Sequence, residues 1–230
     1  MNEQGIAYTV AVWLIPLVIA IVFHEVAHGW VARAFGDPTA ARLGRLTLNP
    51  IKHVDLVGTV GLPLVLAVVG APIFGWAKPV PVVAAQLRNP RWQMMLVALA
   101  GPATNFALAL LAVATLGVAF ASSGGAFPRE GIGGFAIDNV FNFLLINIFL
   151  GVFNLIPLPP FDGGHVVEGL LPRAALPAWR KLALLGFPIM LVLLVVLPML
   201  SPQANVVGRV IAPIVAGVVR TLLGMAGIAG

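Results

Sequence analysis

Apolar residues occur along this chain in six long runs, and these runs are the first guide to its structure. A helix that crosses the hydrocarbon core of a bilayer needs about 20 mostly apolar residues. The six runs lie at residues 8–32, 56–76, 93–120, 138–158, 182–200 and 207–228. The pattern predicts an all-α membrane protein with about five to six transmembrane helices.

The run at 56–76 differs from the other five because it is rich in residues that interrupt regular structure. Gly and Pro break helices and strands alike. This run contains Gly58, Gly61, Pro63, Gly70, Pro72 and Gly75. Irregular backbone at membrane depth must be covered by protein or line a wet cavity. We therefore expect a segment that either presents strand-like edges to an extended polypeptide or acts as a plug that fills the bundle.

Basic residues indicate whether this run crosses the membrane. They are Arg33, Arg42, Arg45 and Lys52 before the run, and Lys78, Arg88 and Arg91 after it. Cytoplasmic loops carry an excess of Lys and Arg, so a crossing would leave one of these groups on the wrong side. If the run dips in and returns, ten of the 13 basic residues become cytoplasmic. We therefore predict a re-entrant segment, with the loop at 121–137 outside. The run at 207–228 can span, lie at the interface or meet a partner.

Composition supports a membrane protein and limits the other classes. The chain has 230 residues, of which 60% are hydrophobic and 9% charged, whereas soluble domains are about 25% charged. The net charge of +5 is explained by basic cytoplasmic loops, so we expect no nucleic-acid partner. The absence of Cys excludes disulfides and thiolate metal ligands. We expect one membrane domain over residues 1–230, whose first run is retained because no basic residue precedes it.

The first run contains three ionisable residues within the stretch VIAIVFHEVAHGW. His24 and His28 are four residues apart and therefore lie on the same helix face. Glu25 lies beside them, which completes the HExxH pattern of zinc peptidases: two metal ligands and a carboxylate that accepts a proton from water. The alternative is a packed histidine pair with Glu25 bound to Arg33. Unbound ionisable groups are costly in lipid, which favours the metal site.

A catalytic zinc ion takes three protein ligands and keeps one position for water. The remaining candidates are His53, Asp55, Asp138, Asp162, His165 and Glu168. The predicted orientation brings the stretch NLIPLPPFDGGHV to the same cytoplasmic end as the histidine pair, and it places Asp138 at the opposite end. Three prolines end the preceding helix, and two glycines then allow a sharp turn. We therefore favour Asp162, with a polar turn at the membrane surface as the alternative.

The other polar residues keep simpler alternatives. His165 either assists the metal site, as a hydrogen-bond donor or a gate, or is a polar residue at the membrane surface. His53 and Asp55 are expected in a solvated loop, and Glu168 is expected to pair with Arg173.

Three motifs, in this order, resemble those of the site-2 protease family of intramembrane metalloproteases. They are HEVAH, GPATN at 101–105 and NLIPLPPFDGG at 154–164, and GWAKPVPV at 75–82 resembles the segment after the family's membrane-inserted loop. The resemblance covers roughly residues 20–170. It implies Zn²⁺ held by His24, His28 and Asp162, with Glu25 as general base and acid. It also implies that Asn154 and Asn105 hold the substrate, although Asn105 can equally bond across helices.

The function implied by the resemblance is hydrolysis of peptide bonds in or near transmembrane segments of other membrane proteins. It also implies a membrane-protein substrate, a regulatory membrane partner, and an active site near the cytoplasmic face of a bacterial inner membrane. The chain would be a minimal form, without a peptide-binding or regulatory domain. The alternative is a metal-ion or proton transporter, since intramembrane His and Asp mark ion paths. We see no inverted repeat in its favour. A non-catalytic scaffold is a third class.

Overall fold

The computed structural model describes residues 5–70 and 75–228, and the regular structure in these residues is helical throughout, with no strand. We number the α-helices in chain order. They are α1 Ile6–Ala34, α2 Thr39–Arg42, α3 Leu62–Val68, α4 Pro90–Ser122, α5 Gly131–Asn154, α6 Asp162–Leu170, α7 Leu176–Leu184, α8 Gly186–Leu191, α9 Leu197–Leu200 and α10 Ala212–Met225. Short 3₁₀ turns lie at Pro50–His53, Ala84–Gln86, Arg173–Ala175 and Pro202–Ala204, and π-helical turns at Leu56–Gly61, Val192–Val196 and Val207–Ile211.

Four helices of the described residues are long and apolar enough to cross a membrane, and a bent pair supplies a fifth. The four are α1, α4, α5 and the continuous segment Val207–Met225. The bent pair joins Arg173–Leu184 to Gly186–Leu200 at an angle of 57°. The prediction of an all-α protein that crosses the membrane several times is therefore confirmed.

Two predicted boundaries differ from the structure. The run at 138–158 is a helix that begins at Gly131 and ends at Asn154. It begins seven residues before the predicted start, and Asp138, the first residue of the predicted run, accepts a hydrogen bond from Tyr8 Oη of α1 at 2.6 Å. It ends earlier because the prolines that follow supply no backbone N–H and prevent the helix from continuing.

Residues 56–68 of the run at 56–76 are helical, so strand-like edges, one of the two alternatives, are wrong there. Residues 71–74 lie outside the described part of the chain. The Asp55 carboxylate accepts hydrogen bonds from the backbone N–H groups of Val57 and Gly58, at 3.0 and 2.7 Å, and so begins a helical turn. Asp55 is therefore a helix cap.

The two ends of this run meet, as a re-entrant segment requires. The backbone N–H of Trp76 donates to the carbonyl of Gly58 at 3.1 Å, and the Thr59 hydroxyl donates to the Trp76 carbonyl at 2.9 Å. Gly58 has no side chain, and a Cβ at this position would clash with the Trp76 ring. The chain thus leaves and returns at one place.

Helices α1, α4, α5 and α6 pack together, and α10 packs on α4 and α5. The largest apolar core lies between α4, α5 and the C-terminal segment. Its buried members are Ala109, Ala112, Val113, Leu116, Leu144, Ile148, Ile211, Val215 and Val219. Closer to the start of α4, the same helices bury two asparagines, Asn105 and Asn147, against α1.

Candidate metal centre and active site

Two histidines of α1 and the first residue of α6 meet in the interior of the bundle. The Nε2 atoms of His24 and His28 are 3.1 Å apart. The Oδ2 atom of Asp162 lies 3.2 Å from the first and 3.4 Å from the second. The structure thus brings together the three residues that the sequence favours as metal ligands.

The turn between α5 and α6 carries Asp162 to the histidines. The centroids of the Phe161 and Phe153 rings are 4.7 Å apart, so the residue before Asp162 packs against the end of α5. A Cβ on Gly163 would collide with the backbone carbonyls of Leu155 and Ile156. Glycine is therefore required for α6 to begin so close to the end of α5.

The ring of His24 is held by an asparagine of α4. Its Nδ1 lies 2.6 Å from Asn105 Oδ1. The Asn105 amide nitrogen donates to Asn147 Oδ1 at 2.8 Å and to the Ala20 carbonyl at 3.4 Å. Asn105 is fully buried, and both ends of its amide are used inside the protein. Of the two roles left open for Asn105, the geometry favours the bond across helices.

The ring of His28 is held by backbone. Its Nδ1 lies 2.7 Å from the Val97 carbonyl, which can only accept a hydrogen bond. Nδ1 therefore carries the proton, and the lone pair of Nε2 faces Asp162. The same holds for His24, whose Nδ1 faces an amide oxygen.

The three converging atoms need a cation between them. They are two imidazole lone pairs and a carboxylate oxygen, and such acceptors repel one another at 3.1–3.4 Å. Asp162 Oδ2 is buried and has no hydrogen-bond partner among the described residues. Two imidazoles and one carboxylate are a donor set of catalytic zinc sites. The residues present therefore fit a Zn²⁺ ion.

Gly101 of α4 makes room for the histidine pair, a role that the sequence interpretation did not foresee. A Cβ on Gly101 would lie 2.5 Å from both His24 Cε1 and His28 Nε2. Any side chain would push the rings out of their present positions. The first and last residues of the motif GPATN thus both act on the histidines, Gly101 by its size and Asn105 by its hydrogen bond.

Glu25 is attached to the segment that follows the re-entrant run. Its Oε2 accepts a hydrogen bond from the Val80 backbone N–H at 2.8 Å. The flanking Pro79 and Pro81 have no N–H, so Val80 supplies the donor of this stretch. Arg45, a buried residue, donates to the carbonyl of Pro79 at 3.3 Å and to that of Lys78 at 2.8 Å. One peptide unit thus contacts Arg45 through its oxygen and Glu25 through its nitrogen.

A second acidic residue holds the far end of the same segment. Asp37 Oδ2 accepts a hydrogen bond from the Val83 backbone N–H at 2.6 Å, and the other carboxylate oxygen accepts from Thr39. Burial alone would raise the pKa of Asp37, but the hydrogen bonds from Thr39 and Val83 hold the pKa below its ordinary value. Segment 77–83, which is not helical, is therefore held at two places, by Glu25 at Val80 and by Asp37 at Val83.

Two adjoining cavities give access to the candidate ligands. The first has a volume of about 550 Å³ and is lined by His24, Glu25, His28, Asn154, Asp162 and His165, among others. The second has a volume of about 650 Å³ and lies between α1, the re-entrant run, the end of α5 and residues 194–207. Ile21, Trp76 and Phe153 line both cavities. The candidate ligands therefore line one cavity and lie next to a larger, mostly apolar one.

The predicted substrate residue Asn154 lies on the first cavity, at the last turn of α5. Its Nδ2 donates one hydrogen to the Leu150 carbonyl at 3.0 Å. An amide carries two N–H groups and an oxygen. Asn154 therefore retains the capacity to bind a group in the cavity.

The remaining polar candidates lie apart from the three ligands. His165 is exposed on the cavity rim, with its Nδ1 3.8 Å from Glu168. Glu168 pairs with Arg180 at 3.2 Å, so the expected pair with Arg173 is wrong. His53 is buried, with Nε2 2.9 Å from the Thr47 carbonyl, so a solvated position was also wrong. Its carbonyl accepts from the Lys78 N–H, which closes the re-entrant hairpin.

Comparison with known proteins gives consistent matches. The sequence model of peptidase family M50 matches residues 12–136 and 133–197. A Bacillus subtilis protein provisionally named zinc metalloprotease YwhC is 38% identical over 185 residues, which are 79% of each chain. No solved structure shows a significant match.

Two further relatives carry similar names. A Mycolicibacterium smegmatis protein provisionally named zinc metalloprotease Rip2 is 33% identical over 190 residues, which are 81% of this chain and 66% of the relative. Zinc metalloprotease MJ0392 of Methanocaldococcus jannaschii is 23% identical over 163 residues, which are 71% of this chain and 35% of the relative.

Proposed function

This chain belongs to peptidase family M50, the site-2 protease family, and on that basis we propose that it cuts peptide bonds in or near transmembrane segments of other membrane proteins. As a member of this family it is a zinc metalloendopeptidase, and its long apolar helices make it an integral membrane protein. Membership in a peptidase family favours the protease over the transporter and the scaffold. What we add is the class of substrate and the way the site handles it.

The apolar lining of the larger cavity, which lies next to the candidate ligands, is the observation that carries this proposal. Among the described residues that line it there is no Asp, Glu, Lys or Arg. An apolar polypeptide segment can lie there without burying an unpaired charge, which a charged segment cannot. The cavity adjoins the smaller one, which contains His24, His28 and Asp162, and shares lining residues with it. A transmembrane segment of a substrate has the matching chemistry.

Glu25, Asn154 and Asp162, which line the smaller cavity, each have a role in this proposal. A Zn²⁺ ion held by His24, His28 and Asp162 would lower the pKa of a water molecule to about 7 and would polarise the peptide carbonyl. Glu25 takes a proton from the attacking water and delivers it to the leaving nitrogen. Because its Oε2 accepts from Val80, Oε1 is the oxygen that carries this proton. The second N–H of the Asn154 amide binds the developing oxyanion, and Asp162 partly offsets the positive charge of the ion.

The substrate must unwind where it is cut, because a helical carbonyl is already hydrogen-bonded within its helix. The extended segment 77–83 lies beside Glu25 and contributes backbone groups to an unwound chain. The strand-like surface that the sequence assigned to the re-entrant run is thus proposed here for the segment that follows it.

We propose that the active site lies near the cytoplasmic face of a bacterial cell membrane. The metal centre lies toward the end of α1, which carries Arg33, and toward the start of α4, which carries Arg91. Basic residues of this kind favour the cytoplasmic side. A regulatory membrane partner is part of the proposal, since an open cavity needs control of access.

The test uses the purified chain in liposomes with two tagged single-span substrates. One has an apolar segment and the other carries a Lys in the middle of it. We expect cleavage of the apolar substrate, at least tenfold slower cleavage of the Lys substrate, and none by Glu25→Gln. Equal cleavage of an unfolded soluble polypeptide would contradict the proposed substrate class. Failure to cut any membrane substrate would contradict the proposed function.

A further inference from the structure

We propose that Asn147 is a positioning residue of the metal centre and that it acts on His24 through Asn105. A chain of hydrogen bonds runs from the backbone of α5 through both asparagines to the His24 ring. Each bond in the chain has one possible direction. Together they set which nitrogen of His24 carries the proton and leave the other nitrogen free for the metal.

The series of hydrogen bonds begins at a backbone carbonyl, which can only accept a hydrogen bond. Asn147 Nδ2 donates to the backbone carbonyl of Phe143 at 2.8 Å, within α5. Asn147 is fully buried, so no water competes for its amide. Since the NH₂ group is directed at the carbonyl, the Oδ1 atom of Asn147 faces α4. Reversing this amide would place two oxygens against each other at hydrogen-bond distance.

The second step fixes the amide of Asn105. Its Nδ2 lies 2.8 Å from Asn147 Oδ1 and 3.4 Å from the Ala20 carbonyl, and both are acceptors. The NH₂ group must therefore face these two atoms, and Oδ1 must face His24. Each of the two amide hydrogens then has its own acceptor.

The third step fixes the His24 ring. Its Nδ1 lies 2.6 Å from Asn105 Oδ1, which cannot donate, so Nδ1 carries the proton. Nε2 then presents its lone pair to the site shared with His28 and Asp162. If the Asn105 amide were reversed, its NH₂ would donate to Nδ1 and the proton would move to Nε2. A protonated Nε2 cannot bind a metal.

The two histidines differ in how this orientation is secured. His28 donates directly to the backbone carbonyl of Val97, whose orientation is fixed by the helix. His24 faces a side-chain amide, which can rotate by half a turn unless something holds it. Asn147 Oδ1, at 2.8 Å, is the nearer of the two acceptors that restrain it, and the Ala20 carbonyl lies at 3.4 Å. A residue without contact to the metal site can therefore affect metal binding.

The competing account is that buried asparagines only join helices. The protein offers a matched control for it, because Asn142 on the same helix also forms a hydrogen bond to another helix, in which its Nδ2 donates to the Val12 carbonyl at 2.9 Å. It has no hydrogen bond to a histidine. If asparagines serve only to join helices, Asn142→Leu and Asn147→Leu will affect zinc binding alike.

The experiment measures zinc affinity of the full chain in detergent, by competition with a chromophoric chelator. Asn147→Leu should weaken zinc binding by about 10- to 100-fold, the range found for residues that hold metal ligands. Asn142→Leu should stay within about threefold of wild type. Unchanged affinity in a folded Asn147→Leu chain would overturn the proposal.

A second measurement needs no variant of Asn147. Nitrogen-15 NMR of the metal-free wild type, labelled in histidine and assigned with His24→Gln, shows which ring nitrogen carries the proton. We expect a proton on Nδ1 of His24, because that nitrogen faces the Asn105 oxygen, and an Nδ1 without a proton would overturn the proposal. Neither measurement uses a substrate. A wild-type chain that binds zinc but cuts nothing would therefore refute the proposed function and leave this inference intact.

Discussion

The interface between α4 and α5 has two unlike parts. Near the metal centre it is polar, and Asn105 and Asn147 each bond in a defined direction. Farther along α4 it is apolar, and Leu116 packs with Leu144 in the same core cluster. Apolar packing is non-directional and tolerates swaps of similar volume, whereas a hydrogen bond fixes position and polarity. We therefore expect changes in the polar part to alter chemistry and changes in the apolar part to alter stability.

The largest effect on the cleavage rate should come from replacing the general base, a change that leaves both parts of the interface intact. Glu25→Gln keeps the shape of the side chain and its oxygen for the Val80 N–H, but the amide cannot accept a proton. General bases contribute about 10²–10⁴-fold to rate, so cleavage should fall by at least about 100-fold. Zinc content, measured by mass spectrometry, should stay at the wild-type level. Loss of zinc in this variant would mean that Glu25 is a ligand.

Gly101→Ala tests the polar part by size alone. The new methyl group would lie 2.5 Å from His24 and His28 atoms, so zinc affinity should fall by about 10-fold or more. Gly117→Ala on the same helix is the control, because its methyl group would meet Ala226 at an ordinary 3.5 Å. Similar zinc affinities in the two variants, measured by chelator competition, would refute the fit of the histidines against α4.

Arg45→Met tests the support of Glu25. The change removes the cation that bonds to the Lys78 and Pro79 carbonyls and should loosen the Val80 N–H that holds the carboxylate. Misplacement of a catalytic group by about 1 Å costs up to about 100-fold, so kcat should fall about 10-fold with zinc affinity unchanged. Arg42→Met, at an exposed position nearby, should leave kcat within about twofold. Equal kcat values for the Arg45→Met variant and the wild type would show that Arg45 does not support Glu25.

Leu144→Ala tests the apolar part and should have the smallest effect on chemistry. The side chain is fully buried, and its loss leaves a cavity. Lipid lessens the transfer contribution because it is as apolar as leucine, so we expect the free energy of unfolding to fall by about 1–3 kcal/mol. Denaturation in detergent measures this fall. Zinc affinity should remain at the wild-type value. A tenfold loss of zinc affinity would contradict the expectation that the apolar part affects only stability.

The sequence predicted much of this architecture because its strongest signals are physical constraints of the membrane. Long apolar runs placed α1, α4 and the C-terminal segment closely. The spacing of His24 and His28 placed them on one face, and charge asymmetry brought Asp162 to the same end. These inferences need only helix periodicity, segment length and the side of the membrane on which each loop lies.

The remaining features depend on contacts between distant segments, which a local pattern does not contain. Asn147 lies within an apolar run and has no distinguishing neighbour in sequence. The link from Arg45 to Glu25 passes through a peptide bond far from both in the chain. The helical form of the described part of the re-entrant run depends on the cap that Asp55 supplies, whereas its glycines and prolines indicated irregular backbone.

Zinc content of detergent-purified chains tests the central claim, that residues of α1 and α6 form one metal site, most directly. We predict about one zinc ion per wild-type chain, and much less in His28→Ala and Asp162→Asn. Asp138→Asn is the matched control, because Asp138 binds Tyr8 at the other end of α5 and its replacement should leave zinc in place. Equal zinc in the Asp162→Asn and wild-type chains, or no zinc in a folded wild type, would contradict the account.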